Sequence, residues 1–255
     1  MDIIDEKEIN LRLKNKLNIK IFDEISSTNT YLKENPSSDK DVIIANMQTK
    51  GRGRIGKSFY SPSGSGIYMS IILKNKFEKE KLSLITPLAA VCMCKSIENT
   101  LGIDTKIKWV NDIFVANKKV CGILTESSID YNTGLSNYVI LGVGINIYKP
   151  KNGFTSDIKD SATYLLEKEQ NGVKNEIIAS FFNNLFGYIN FENDFFDEYK
   201  KRCFILGKKI CVIKNGKEIN ATAKDLNKDF NLLVQYDDKS EEFLSSGEIS
   251  IKINR

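Results

Sequence analysis

Histidine is absent from all 255 residues of this chain. That excludes every Ser-His-Asp and Cys-His mechanism, because each needs an imidazole to carry the proton. Zinc is poorly served as well. The five cysteines, Cys92, Cys94, Cys121, Cys203 and Cys211, are irregularly spaced and contain no CxxC pair. An odd, scattered set of thiols reads instead as reduced and mostly buried. No apolar run approaches the ~20 residues that cross a bilayer. The opening MDIIDEKEINLRLKNKL puts acids early and has no apolar segment, so it is not a secretion signal, and a cytoplasmic protein is expected. Strong charge is also missing. A net charge of +4 and a pI near 8.6 fall short of a dedicated nucleic-acid binder, but they suit an acidic partner or a phosphate-bearing ligand. Any catalysis therefore rests on Lys, Arg, carboxylates, backbone dipoles or a bound metal.

What is present is ordinary globular material, 41% apolar and 27% charged. The length suits one large domain, or a medium one with a small one. Residues 19–22 read as a short strand. Ser26, Ser27 and Thr28 then offer N-cap chemistry to a helix whose apolar side carries Tyr31 and Leu32. Residues 41–48 and 67–73 are apolar runs of strand length, and 82–101 has helical spacing with Pro87 in its first turn or at a kink. Residues 107–127 alternate, with a hairpin turn at Asn117-Lys118, and 138–147 is a buried-strand run. Residues 150–162 are loop-like. Residues 173–201 read as a helix with a broad apolar face through Ile177, Ile178, Phe181, Phe182, Leu185 and Phe186. From Cys203 onward, short strands alternate with NG, NKDFN and DDKS turns, which suggests a small β-barrel or sandwich. The domains expected are 1–202 and 203–255.

The string GRGRIGKS at 51–58 satisfies two phosphate-binding patterns, G-x-x-x-x-G-K-S and G-x-G-x-x-G. Both require a helix to start where the string ends, so that its N-terminal amides meet the phosphates. Pro62, Gly64 and Gly66 occupy that place, and neither pattern is genuine. The chemistry of the loop remains informative. Its glycines permit close backbone approach, and Lys50, Arg52, Arg54 and Lys57 put four cations into eight residues. Such like charges repel, so the free loop is expected to be mobile and an anion to order it. Taken alone, the loop reads first as a solvated basic segment or one that sits on nucleic acid.

The wider sequence favours another reading. GRGRIGKSFYSPSGSGIYMS, KWVND with the hairpin and KKVCGILTES after it, LGVGINI, SSTN at 26–29 and FLSSGEIS near the end occur in one order. Together they resemble the biotin–protein ligases over nearly the whole chain. The resemblance implies an α+β fold: a central mixed β-sheet flanked by helices, like that of class II aminoacyl-tRNA synthetases, with a small C-terminal SH3-like β-barrel. It implies an enzyme that makes biotinyl-5'-AMP from biotin and ATP with Mg²⁺. The enzyme then passes biotin to one lysine of a carboxylase's biotin carboxyl carrier domain. Neither step needs an enzyme nucleophile or a histidine.

By the same resemblance, Ser27, Thr28, Asn29 and Gln48 line the biotin site, and Gly51, Arg52, Gly53 and Arg54 wrap the ligand. Arg54 is nearest the phosphate. Lys108 is the key cation between the biotin carboxylate and the α-phosphate. Gly142 and Gly144 let the backbone approach biotin, and Asn146 helps hold the triphosphate or its metal. No protein ligand to a metal is assigned, and the adenine contacts are unassigned because residues 148–158 do not align. Asp112 is a weak candidate for a base acting on the acceptor lysine. Each residue also has a bland role: a helix cap for Ser27 and Thr28, a solvent-facing strand lysine for Lys108, tight packing for the glycines. Departures from the family pattern are Val110 for a usual proline, Lys57 for a usual arginine and Phe59 for a usual tryptophan. The S-T-N segment comes early, leaving no room before it for the helix-turn-helix of the family's repressors. No nucleic-acid or membrane partner is expected, and a homodimer is compatible. The rivals are a lipoate or octanoate transferase on the same scaffold and a nucleic-acid-binding module that uses the basic loop.

Overall fold

A computed structural model describes residues 2–35, 37–54, 56–214, 217–245 and 250–253 of the chain. Asn215-Gly216, read as a turn, and Ser246–Glu248 of the SGE-like finish lie outside the described residues. The elements are α1 (Glu6–Arg12), β1 (Ile19–Ile25), α2 (Thr28–Glu34), β2 (Val42–Gln48), β3 (Gly66–Leu73), α3 (Lys79–Leu101), β4 (Lys106–Lys108), β5 (Asp112–Val115), β6 (Lys118–Ile129) and β7 (Ser136–Asn146). There follow α4 (Val173–Tyr188), α5 (Phe196–Arg202), β8 (Lys209–Lys214), β9 (Lys217–Leu226), β10 (Leu232–Tyr236), β11 (Glu241–Leu244) and β12 (Ser250–Ile253).

Strands β1 to β7 form one mixed sheet in the order β1-β2-β3-β7-β6-β5-β4, in which only β1 and β2 run parallel. Side chains alternate across the central strands. Ile67, Met69, Ile71 and Leu73 of β3, and Val139, Leu141, Val143 and Ile145 of β7, join α3 and α4 in the main core. The opposite face carries Ile43, Ile72 and Ile140 under Leu32 of α2. Further along that face the sheet lays down two rows of cross-strand neighbours, Tyr68–Gly144–Gly122 and Ser70–Gly142–Leu124. Three of those six positions lack a side chain, so other groups can approach the sheet backbone closely there.

The C-terminal strands form an antiparallel sheet in the order β11-β10-β9-β8-β12, consistent with the small SH3-like unit expected. Several local expectations need correction. Pro87 lies inside α3 and past its first turn, which rules out the first of the two places expected for it. The hairpin turn sits one residue early, on Ala116 and Asn117, both with positive φ. The helix expected over 173–201 is two, α4 and α5, separated by residues 189–195. Helix α1, unread in the sequence, is capped by Asp5, whose side chain accepts from Glu8 N–H at 2.9 Å. All five cysteines are buried and reduced. Among the described residues, no helix is long and apolar enough to cross a membrane.

Candidate active site

The site grows from the start of α2. Ser27 caps that helix, accepting from Thr30 N–H at 3.4 Å, and the cap turns Thr28 and Asn29 onto the sheet face. Gln48, at the end of β2, accepts from Thr28 N–H at 2.9 Å and Oγ1–H at 3.2 Å, and donates to Ser61 Oγ at 3.0 Å. Ser70 Oγ lies 2.6 Å from both Thr28 Oγ1 and Asn29 Oδ1. Asn29 Nδ2 in turn donates to Glu126 Oε2 at 3.0 Å. The result is a polar wall in which the orientation of each amide is fixed at both ends.

The cationic loop is folded rather than open. Gly53 N–H donates to Lys57 O at 2.7 Å, Phe59 N–H to Gly51 O at 2.9 Å, and Gly56 takes the positive φ that closes the turn. Arg52 pairs with Glu126 at 3.0 Å, and Arg54 reaches Asn111 Oδ1 at 3.3 Å. The repulsion expected among the four cations is therefore partly met by Glu126, while Lys50 and Lys57 stay exposed. No helix follows the loop; β3 does.

A cavity of about 240 Å³ lies between the wall, the loop and the sheet. The residues facing it include Ser27, Thr28, Asn29, Gln48, Arg52, Gly53, Arg54, Lys108, Gly142 and Gly144. A second cavity of about 560 Å³ adjoins it and shares Gln48, Phe59, Lys108, Asp112 and Lys119. Gly51 and Asn146 face this second space, where Asn146 Nδ2 is already donated to Thr163 O at 3.0 Å. The structure thus brings the residues singled out in the sequence to one pair of joined cavities.

Lys108 is half-buried at the end of β4, beside buried Ile107 and Trp109, and faces both cavities. Burial, opposed by Asp112 and reinforced by Lys119, pulls its ammonium pKa below that of an ordinary lysine. Burial likewise lowers Arg54, against the pull of Asp112 and Tyr199. Both cations are desolvated ahead of any anion, which strengthens their interaction with one. The Trp109–Val110 peptide bond next to Lys108 is cis.

The two glycines of β7 allow close packing, the other role the sequence left open for them. A Cβ at Gly142 would stand 2.0 Å from Asn29 Oδ1, and one at Gly144 would stand 2.6 Å from the Phe59 ring. The space they leave is filled first by protein side chains. Gly122, on the neighbouring strand, leaves room for Lys119 and Phe59 in the same way.

Residues 21–146 match the Biotin/lipoate A/B protein ligase family. That segment is a domain of this family. It is 38% identical over 168 residues to the bifunctional ligase/repressor BirA of Bacillus subtilis (strain 168), covering 64% of this chain and 51% of that protein. It is 24% identical over 218 residues to the biotin–[acetyl-CoA-carboxylase] ligase of Mycobacterium tuberculosis, covering 80% and 78%. The chain spans about half the length of the first curated relatives it matches. Among solved structures, the biotin protein ligase from Aquifex aeolicus in complex with biotin and ATP aligns with a TM-score of 0.76 at 26% identity, over 93% of this chain and 99% of that one.

In this ligase-family domain, the sequence missed residues whose signal was weak. Lys119 faces both cavities and pairs with Asp112 at 2.7 Å, but it stands beside Lys118 in a hairpin where either could be the solvent residue. Glu126 ends the strand motif G-I-L-T-E and anchors both Asn29 and Arg52 across the fold, which no spacing rule reveals. Phe154, Thr155, Asp157 and Ile158, in the stretch that resisted alignment, form a wall of the second cavity with Ser161 and Ala162 just beyond it.

Proposed function

We propose that this chain is an ATP-dependent biotin–protein ligase, forming biotinyl-5'-AMP and passing biotin to a lysine of a carrier domain. The observation that carries this reading is the placing of two desolvated cations, Lys108 and Arg54, beside a fixed polar wall in one cavity that opens into a larger one. The wall suits a neutral polar group: the Thr28 hydroxyl and the Asn29 and Gln48 amides offer donors and acceptors to the ureido ring. Ser27 stands at the entry to α2 on the same side. The cations suit the other end, where a carboxylate must approach an α-phosphate despite like charge. Lys108 lies where the cavities join and reaches both anions; Arg54 holds the phosphoryl oxygens; Gly51, Arg52 and Gly53 close over the product.

Mg²⁺ would neutralise charge on the departing pyrophosphate. Asp112 fits it, because Oδ1 is buried without a hydrogen bond and only ion-paired to Lys119, and Asn146 adds an amide oxygen. Two protein oxygens suit an ion that keeps water and phosphate as its other ligands. The second step needs less from the protein, since the mixed anhydride is already activated. The catalytic unit is residues 1–202, with 203–255 as the small β unit, and a homodimer is compatible with this chemistry.

The test is biotin-dependent exchange of pyrophosphate into ATP by folded protein, run in parallel with lipoate. Exchange with biotin is expected. Exchange with lipoate alone would move the assignment to the other branch of the family, and exchange with neither would end it.

A further inference from the structure

The segment 105–112 carries Lys108 and Asp112 but is short of its own support, since β4 is three residues long and sits at the sheet edge. Its contacts come from far along the chain, beyond the 21–146 match. Phe204 N–H donates to Ile107 O at 3.2 Å, and Ile107 bridges Cys203 in parallel register. The hydroxyl of Tyr199 on α5, fully buried, donates to Val110 O at 3.1 Å. The indole N–H of Trp109 donates to Phe230 O at 2.7 Å, across 121 residues. Arg202 joins Glu98 and Glu198 and reaches Thr105 Oγ1 at 3.4 Å.

Phe230 is held in a way that needs explaining. Its φ is +60°, which a bulky side chain rarely adopts. In that conformation its carbonyl meets Trp109 while its ring stacks on Phe195 at 5.1 Å and meets Tyr199 edge-on at 5.1 Å. A costly backbone state persists where its surroundings hold it, and such states cluster at functional sites. We infer that Tyr199 and Phe230 are positioning residues that clamp the Lys108–Asp112 segment, so that the C-terminal part of the chain sets the placement of the site's central cation. This rests on the ligase reading for its consequence in catalysis, but not for the clamp itself.

The clamp touches none of α2, β2, β3 and β7, which carry the polar wall and its floor. Loosening it should slow adenylate formation more than it weakens biotin binding, which the polar wall still supports. Tyr199→Phe, which keeps the ring, should lower kcat for biotin-dependent pyrophosphate release by about tenfold to a hundredfold, as expected for displacement of a catalytic group by a fraction of an ångström to 1 Å. Its KM for biotin should rise by a smaller factor than kcat falls, as for a group whose placement matters most in the transition state. Lys200→Ala, which removes the exposed ion pair to Asp225 and a cation over the Phe196 ring but no bond to the 105–112 segment, should behave as wild type. A second readout is independent of activity: Trp109 is the chain's one tryptophan, so its emission should shift to longer wavelength in folded Tyr199→Phe. If the wild type shows no biotin-dependent turnover, the ligase reading fails and the emission still decides the clamp. An unshifted emission overturns the clamp. With an active wild type, so does an unchanged kcat, or a loss shared equally by Lys200→Ala.

Discussion

At the scale of single residues, Lys108 makes the sharpest claim. Its pKa lies below the ~10.4 of a free lysine because burial disfavours charge. Between the lowered folded value and the unfolded one, the unfolded chain binds more protons, so this residue's contribution to stability rises with pH across that window. Ligand binding runs the other way, since an anion selects the charged form. Affinity for biotin with ATP should therefore decline on the alkaline side before an exposed lysine would titrate. Calorimetry across that range should show the decline in wild type and a flatter curve in Lys108→Arg; identical curves would remove Lys108 from the role. Lys108→Ala should keep the fold and lose about a hundredfold or more in adenylate formation, as for a removed charge-stabilising donor.

Gly142 supports a second prediction. Gly142→Ala drives a methyl into Asn29 Oδ1, and the amide must leave Ser70, Glu126 or both. Overpacking of this kind costs about 1–3 kcal/mol, and weaker biotin binding should accompany the lower melting temperature. Unchanged affinity would mean that the amide's orientation is not what the ligand reads. The sequence made Gly142 visible as part of G-x-G but not which side chain packs there, because the partner filling its space lies 113 positions earlier in the chain. A cross-fold contact leaves no periodic trace.

At the scale of elements, the cationic loop shows how context overrides a motif. Proline and glycine after Ser58 were enough to reject a helix, and β3 stands there instead. The internal bonds between 51–53 and 57–59, and the anchor at Glu126, were not legible, since they depend on which face of β6 the loop meets. Trypsin should cut after exposed Lys57 more slowly once biotin and ATP are added, and equal rates would argue against closure over the ligand. The break between α4 and α5 was missed for a different reason. Apolar residues continue through Ile189, Phe191 and Phe195 because they pack on the core as a loop, so hydrophobic spacing outlasts the helix. Strand existence was easier to read, because β2, β3 and β7 are apolar on both faces.

At the scale of the molecule, the boundary drawn at residue 202 falls where texture changes, but the packing is continuous across it. Ala223, Leu226, Leu232 and Val234 of the small sheet share one buried cluster with Trp109 and Val110. A change of composition marks a change of architecture; it does not mark where cohesion ends. The fold class was legible from ordered motifs, whereas the clamp depends on Tyr199 and Phe230, which look like unremarkable core aromatics in the sequence.

The buried thiols turn this continuity into a clock. Burial pushes Cys92, Cys94 and Cys203 up to about 12, and Cys121 also rises well above an ordinary thiol, so none presents a reactive thiolate at neutral pH. Cys121 lies in the large sheet and Cys211 in the small one, both under the surface. Alkylation by a maleimide in native buffer must then wait for the protein to open, and the five reaction times record which parts open together. A shared time for Cys121 and Cys211, followed by mass spectrometry, is the expected result of cooperative opening; an early Cys211 would show the small sheet breathing on its own.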